Sequence, residues 1–273
     1  MNILSLDWDY FIDATDTERF MMFPDGGNEN RNNKLAEFLW TSRYSDYIAQ
    51  KTFNSKVKLL TDFNAEEKLM DDVVVFVKKW RKPDTAITVA LRHMDIDKHM
   101  TGIASPVSVI NVDFHHDCYI HSRSRDYNSS NWAAIFLAGN VIDNYCWVRK
   151  EDSDDVFSII KGEGEPPILD GKNITVSTDI LKVEFVDGKG IDKIFLCLSP
   201  PWSPPHLDSH FKSFISQLYD AIEMKDKLVW SSDPNRWTPR IIADIEKRSK
   251  KTIETVEQFL VSHLPATKPR ALW

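Results

Sequence analysis

Cysteine is scarce in this chain, with three in 273 residues: Cys118, Cys146 and Cys197. They form no Cys-x-x-Cys pair and no even framework, which argues against a disulfide scaffold or a thiolate zinc site. Long apolar runs are missing as well. No segment nears the ~18 apolar residues that a membrane-spanning helix needs. The opening stretch, MNILSLDWDYFID, has no basic region ahead of its apolar residues, and acids interrupt it early, so it does not read as a secretory signal. Nor is there a basic excess. Lysine and arginine total 34 against 41 acids, a net charge of −7. That disfavours a nucleic-acid or anionic-membrane partner, because such binding rests on a basic face. No internal repeat is visible, and nothing marks an oligomer interface, so a monomer fits. These absences point to a cytoplasmic globular protein, 42% hydrophobic and 27% charged, long enough to bury a sizeable core.

What is present is an alternation of apolar β-rich runs and amphipathic helical patterns. NILSL (2–6) ends in Asp7-Trp8-Asp9, AITVAL (86–91) runs into Arg92-His93-Met94-Asp95, and VSVINV (107–112) runs into DFHHDCYIH. KVKLL (56–60), YCWV (145–148) and KIFLCLS (193–199) are further strand candidates, and the VDGK turn predicts a hairpin within 173–192. Helical patterns occupy about 33–50, a stretch opening on Asn64 as N-cap with Glu67 in the capping-box position, and 131–138. Two more follow: one after PPWSPP with Phe211, Phe214, Ile215, Leu218 and Ile222 on one face, and one along Ile241, Ile245, Ile253, Val256 and Leu260. Residues 20–33 and 150–172 read as irregular. The expected fold class is α/β, three layers α/β/α around a mainly parallel central sheet, as one domain over 1–273. In such folds, sites lie beyond the carboxyl ends of the strands.

Three of these strand ends carry acids and imidazoles: Asp7 and Asp9; His93; and Asp113, His115 and Asp117. In extended chain, residues spaced by two point the same way. On that ground Asp113, His115 and Asp117 face one point, while Phe114 and His116 face away. Carboxylates and imidazoles without thiolate suit Mn²⁺, Fe²⁺ or Zn²⁺, and an excess of carboxylates favours manganese. Four clustered aspartates repel one another and raise each other's pKa unless a cation sits among them.

DFHHD resembles the Asp-x-His-x-Asp motif of the arginase and ureohydrolase superfamily, whose fold is shared with metal-dependent deacetylases. SLDWDYF is similar to that superfamily's Ser-x-Asp-x-Asp motif, and DYF with the later NWAA resembles a divergent branch, the peptide arginases. The resemblance covers the metal strands and the α/β rhythm rather than the whole length. It implies an arginase-deacetylase-like architecture with rearranged motif order, because here Ser-x-Asp-x-Asp comes first. It also implies two Mn²⁺ per chain: His93, Asp113, Asp117 and Asp7 around one, and Asp113, His115, Asp7 and Asp9 around the other. His99 is the alternative to His93, since "ALRH" replaces the family's usual glycine-rich context.

The implied reaction is hydrolysis of the guanidinium group of arginine residues within a ribosomally made precursor peptide. It gives ornithine residues and urea, by attack of a metal-generated hydroxide. Asp117 is the expected acid–base residue and His121 the expected proton relay, while the family's guanidinium-binding Glu has no evident counterpart. The partner is then an arginine-containing peptide, with neither nucleic acid nor membrane. Two other readings stand beside this one: a deacetylase-like zinc amidohydrolase on the same fold, and a non-catalytic peptide-binding module. Trp8 is a candidate pocket wall. His206 and His210 read as the surface start of a helix, and Cys118 lacks the neighbouring base that would make it a nucleophile.

Overall fold

Asn2–Asp7 (β1) is buried along its whole length, as a near-continuous apolar run must be when a strand is covered on both faces. The computed structural model describes residues 1–15, 18–19, 40, 43–44, 60–100, 102, 106–119, 127–153, 171–224, 247, 251 and 254. Five further strands join β1: Arg81–Ala90 (β2), Val107–Val112 (β3), Ile142–Val148 (β4), Asn173–Ser177 (β5) and Ile191–Cys197 (β6). They form one six-stranded sheet in the order β2-β6-β1-β3-β4-β5. Every pairing is parallel, with β1 held between β3 (Leu6 opposite Val112) and β6 (Asp7 opposite Cys197).

Helices cover both faces. Glu67–Trp80 (α1) and Asp208–Ala221 (α4) bring Met70, Val73, Phe76, Phe211, Phe214 and Leu218 onto Leu4, Leu6, Ile110 and Leu196. On the other face, Asp97–Met100 (α2) and Trp132–Ala138 (α3) pack Met100, Trp132, Ala134 and Leu137 against Ile3, Val109, Tyr145 and Phe195. The result is the expected α/β three-layer arrangement around a parallel sheet. Among the described residues, no helix is long and apolar enough to cross a membrane.

The chain leaves β1 for β2 on one side of the sheet and later builds β3, β4 and β5 on the other. The connections thus run to opposite sides of β1, the kind of switch point that opens a crevice beyond the carboxyl ends of the strands. Asp7 is the last residue of β1 and Asp113 follows β3 directly. His93 opens the turn His93–Ile96 just past β2, and Ser199 stands just past β6. Four chain segments therefore deliver side chains to one rim.

Several local expectations need correction. The capping-box helix does not begin at Asn64. It begins at Glu67, with Glu66 as N-cap and no side-chain cap bond. Asn64 is drawn off instead by Asp13, whose side chain accepts from its N–H at 2.7 Å, while Ala65 bridges to Ile12. The helix does stop before Pro83, at Trp80, but the chain passes straight into β2. Pro83 is tolerated there because β2 is an edge strand and its register with β6 shifts between Arg81 and Ala86. Residues 173–192 do not form a hairpin. VDGK does turn, with Gly188 at φ 64°, yet β5 joins the far edge beside β4 while the apolar β6 takes a central place between β1 and β2. Of KVKLL, only Leu60 is described, in the short turn Leu60–Asp62. Most of the helix read at 33–50, the irregular stretch 154–170, and most of the last helix lie outside the described residues.

Trp8 is no pocket wall. Its ring is fully buried against Phe11, Phe211 and Phe214, at centroid distances of 5.2–6.1 Å. These rings anchor α4 beneath the turn that carries Asp9. Phe214→Ala is expected to cost about 3–5 kcal/mol of unfolding free energy in a denaturant titration, the range for emptying a well-packed aromatic site. A loss below about 1 kcal/mol would show that this cluster does not hold the layer.

Candidate metal centre

The two acid motifs reach the crevice by the same local device. Asp7 accepts a hydrogen bond from the N–H of Asp9 at 3.2 Å, and Asp113 accepts from the N–H of His115 at 2.8 Å. Each first aspartate thus closes a tight side-chain turn on the residue two positions on. The chain is not extended there: Trp8–Phe11 is a 3-10 turn, and Asp117 has a left-handed φ of 51°. The expectation from strand alternation is met in part and for another reason: Asp113 and His115 share a ligand group, while Asp117 stands outside it beside His93. Spacing by two works here because the first carboxylate turns the backbone, not because side chains alternate along a strand. Asp117 takes the left-handed conformation, which aspartate adopts more readily than most side chains and which is over-represented at functional sites.

His93 Nδ1 lies 3.1 Å from Asp7 Oδ2, 3.2 Å from Asp113 Oδ2 and 2.9 Å from Asp117 Oδ2. Its other ring nitrogen, Nε2, is 2.7 Å from Ser5 Oγ. Three carboxylates thus converge on Nδ1, an arrangement that suits either an imidazolium proton or, with Nε2–H donating to Ser5, a cation held by Nδ1 and the acids. A few ångströms away, His115 Nδ1 stands 3.2 Å from Asp9 Oδ2 and 3.9 Å from Asp113 Oδ1. Ligand atoms fall into two compact groups, Asp7–His93–Asp113 and Asp9–Asp113–His115, which share Asp113. Asp117 touches His93 but belongs to neither group of three.

Several buried atoms here lack a hydrogen bond. Neither carboxylate oxygen of Asp9 nor Nδ1 of His93 completes an aligned hydrogen bond, although His115 faces Asp9 Oδ2 and three carboxylates face His93. Burying an unsatisfied carboxylate is costly. Incompletely satisfied acceptors on two facing groups, with oxygen and imidazole donors and no thiolate, match what a hard or borderline divalent cation takes. These buried groups could hold a metal ion.

No family model matches this chain, and neither a curated protein nor a solved structure shows significant similarity to it. The chemistry of the site must therefore be read from its own atoms. Burial and the neighbouring Asp9 and Asp113 push Asp7 up to about 6, and burial together with Asp117 pushes Asp113 up to about 7. Burial also raises Asp117. Asp9 goes the other way: burial would raise it, but the facing His115, then Arg19 and His93, hold it below the usual carboxylate range. Burial opposes charge on both imidazoles, yet Asp117 and its partners lift His93 well above normal, and Asp9 lifts His115 to about 9.

Supporting residues surround the ligands. Ser199, at φ 48°, donates to Asp7 Oδ2 at 2.6 Å. Trp132 Nε1 donates to Asp117 Oδ2 at 2.5 Å, and Asn111 Nδ2 to Asp113 Oδ2 at 3.3 Å. Trp147 Nε1 holds the Asp113 carbonyl at 2.9 Å. A cavity of about 340 Å³ opens over the cluster, lined by Asp7, Asp9, His93, His115 and Asp117 and walled by Tyr119, Ser129, Ser130, Ser199 and Trp202. None of these supports was expected from sequence: Asn111 lies hidden inside an apolar strand run, and Ser199, Trp132 and Trp147 reach the site from other elements.

The other histidines fall into place. His116 faces away, fully buried, between Tyr119 and Trp147, accepting from Cys118 N at 2.9 Å; burial drives it down to about 3, so it stays neutral. His99 lies against Phe195, and the contacts foreseen for a strand-end histidine belong to His93. His206 is not a surface residue. It is half-buried, 2.5 Å from the Tyr44 hydroxyl and 2.9 Å from the Phe63 carbonyl. His121 lies outside the described residues.

These shifts fix a pH dependence. Unfolded, the carboxylates ionise near pH ~4, but Asp7 and Asp113 do so near 6 and 7 in the fold. Between those values the folded chain binds more protons than the unfolded one, so metal-free stability falls as pH rises, and the raised histidines extend the fall upward. A cation needs those same groups deprotonated, so its affinity rises over the same range. Thermal melts from about pH 5 to 8 are expected to show a falling metal-free midpoint and a growing gain on adding Mn²⁺. A gain that is flat or shrinks with pH would place the cation elsewhere.

Proposed function

We propose that this protein is a binuclear manganese hydrolase that converts arginine residues of a peptide to ornithine residues, releasing urea. The observation that carries the reading is the pair of buried ligand groups sharing Asp113. A bridging carboxylate with one histidine on each side is the donor set of a two-cation hydrolytic site, and its oxygen-rich composition favours manganese. When bound, such a cation pair supplies Lewis acidity and water acidified to react near neutral pH.

The chain's own residues do the rest. His93, Asp113 and Asp7 would hold one position, with Asp117 beside His93; His115, Asp9 and Asp113 would hold the other. Ser5 and Ser199 keep His93 and Asp7 aimed inward. Asp117, fixed at one oxygen by Trp132, would take a proton from the attacking water and return it to the departing amine. A cavity of about 340 Å³ is the size of pocket that takes an arginyl side chain rather than a whole folded partner. Tyr119 and Trp202 offer aromatic faces to its cationic end. The acidic net charge also suits a cationic substrate.

A single-zinc deacetylase of the same layered architecture would use one ligand group, whereas here a second group, Asp9–Asp113–His115, stands beside the first and shares Asp113, which favours the two-cation reading. A non-catalytic peptide binder has no need of either group.

The test is mass spectrometry of arginine-containing peptides incubated with the protein and Mn²⁺. Each converted arginine loses about 42 Da, the CH₂N₂ that separates a guanidine from an amine when water attacks the guanidinium carbon. Asp9→Ala and His115→Ala are expected to abolish the loss and the accompanying urea. Retention of either product in both variants would remove these residues from the reaction.

A further inference from the structure

Arg19 is a buried cation that the reading above leaves without a role. Its side chain is 3% exposed and reaches back toward the turn after β1. A local capping box launches it: Thr15 N–H and hydroxyl donate to Glu18 Oε2 at 2.9 and 3.0 Å, Glu18 N–H donates to Thr15 Oγ1, and Arg19 N–H donates to the Thr15 carbonyl at 2.8 Å. From there the guanidinium donates to three carbonyls of the Asp9 segment: Asp9 at 2.7 Å, Ile12 at 2.9 Å and Ala14 at 3.0 Å. Its plane lies 3.9 Å over the Phe114 ring, the residue between Asp113 and His115.

Arginine next to a carboxylate usually forms a two-point salt bridge. Here it does not. Nη1 stands 3.9 Å from Asp9 Oδ2, outside hydrogen-bonding distance, and is itself without a partner. The fork is spent on backbone carbonyls, so Arg19 does not occupy the Asp9 carboxylate, which faces His115 instead. Arg19 thus touches both ligand-bearing turns at once, Asp9's through the carbonyls and His115's through the Phe114 ring. It has no contact with Asp7 or His93 of that kind.

We infer that Arg19 is a positioning residue for one half of the centre: it locks the Asp9 turn to the His115 turn, and so sets the affinity of the Asp9–Asp113–His115 position while leaving the Asp7–His93–Asp113 position alone. The inference rests on the two-cation reading. It does not depend on which substrate is hydrolysed.

Mn²⁺ binding to the full-length chain, followed by loss of the free-ion electron paramagnetic resonance signal and by growth of a spin-coupled pair spectrum, tests it. Wild type is expected to take two ions and show the coupled spectrum. Arg19→Met is expected to keep the first ion at unchanged affinity and weaken the second by about 10–100-fold, the usual cost of losing a residue that orients a ligand. The coupled spectrum then appears only at correspondingly higher Mn²⁺. Arg19→Lys keeps the charge without the fork and is expected to follow Arg19→Met. A folded Arg19→Met chain that binds both ions as wild type does, or loses both equally, overturns the inference. Should Arg19→Met fail to fold by circular dichroism, Phe114→Leu decides: it removes the stacking surface with a small volume change, and an unchanged second-ion affinity overturns the proposal. A wild-type chain that binds no Mn²⁺ refutes the two-cation reading and this inference with it; failure confined to the variants refutes only the role of Arg19.

Discussion

Four buried carboxylates within contact distance of two imidazoles define an electrostatic constraint to which much of the rim answers. Asp7, Asp9, Asp113 and Asp117 are all nearly inaccessible to water. Like charges in such a place repel, and desolvation adds to the cost. Protons on Asp7, Asp113 and the imidazoles relieve part of it, at the price of filling the positions that ligands need. A divalent cation relieves more, because it satisfies several lone pairs at once and leaves the acids ionised. The hydroxyl of Ser199, the indoles of Trp132 and Trp147 and the amide of Asn111 all donate toward this cluster. Three of these donors meet carboxylate oxygens and Trp147 meets the Asp113 carbonyl, more buried polar support than a purely structural strand end would gain from.

The fold supplies the means to assemble such a cluster. A parallel sheet puts the carboxyl ends of its strands at one edge, and the switch of connections at β1 opens that edge. The ligand turns are then built from very short instructions: an aspartate that bonds the N–H two residues on, twice over. Below the turns, Trp8 and the α4 phenylalanines give a stiff floor, and above them Trp202 packs on the His115 ring at 5.1 Å. Rigid support on both sides keeps ligand geometry from relaxing away in the face of repulsion.

Much of this was legible in the sequence, and the pattern of what was not is physical. VSVINV and KIFLCLS announce themselves because a strand buried on both faces must be apolar throughout. The stripe on α4 is legible for the equivalent reason at helical period. Asp7, Asp9, His93, Asp113, His115 and Asp117 could be picked because polar groups at the end of an apolar run are conspicuous, and the structure brings all six to one crevice. What failed depended on distance. The start of α1 moved because Asp13, far away in sequence, captures Asn64. The hairpin at 173–192 did not form because β6 finds its place between β1 and β2. Ser199 meets Asp7 across 192 positions, which no local pattern encodes. Arg19 was the exception that could have been found: Thr15 and Glu18 spell a capping box directly after the Asp9 motif.

The central claim is that Asp113 joins two cation positions. Diffraction from crystals grown with Mn²⁺, recorded on both sides of the manganese absorption edge, tests it most directly. The account predicts two anomalous peaks about 3.5–4 Å apart, the spacing of paired hydrolytic metals, one beside His93 and the other beside His115, with Asp113 touching both. A single peak, or peaks away from these residues, would contradict it.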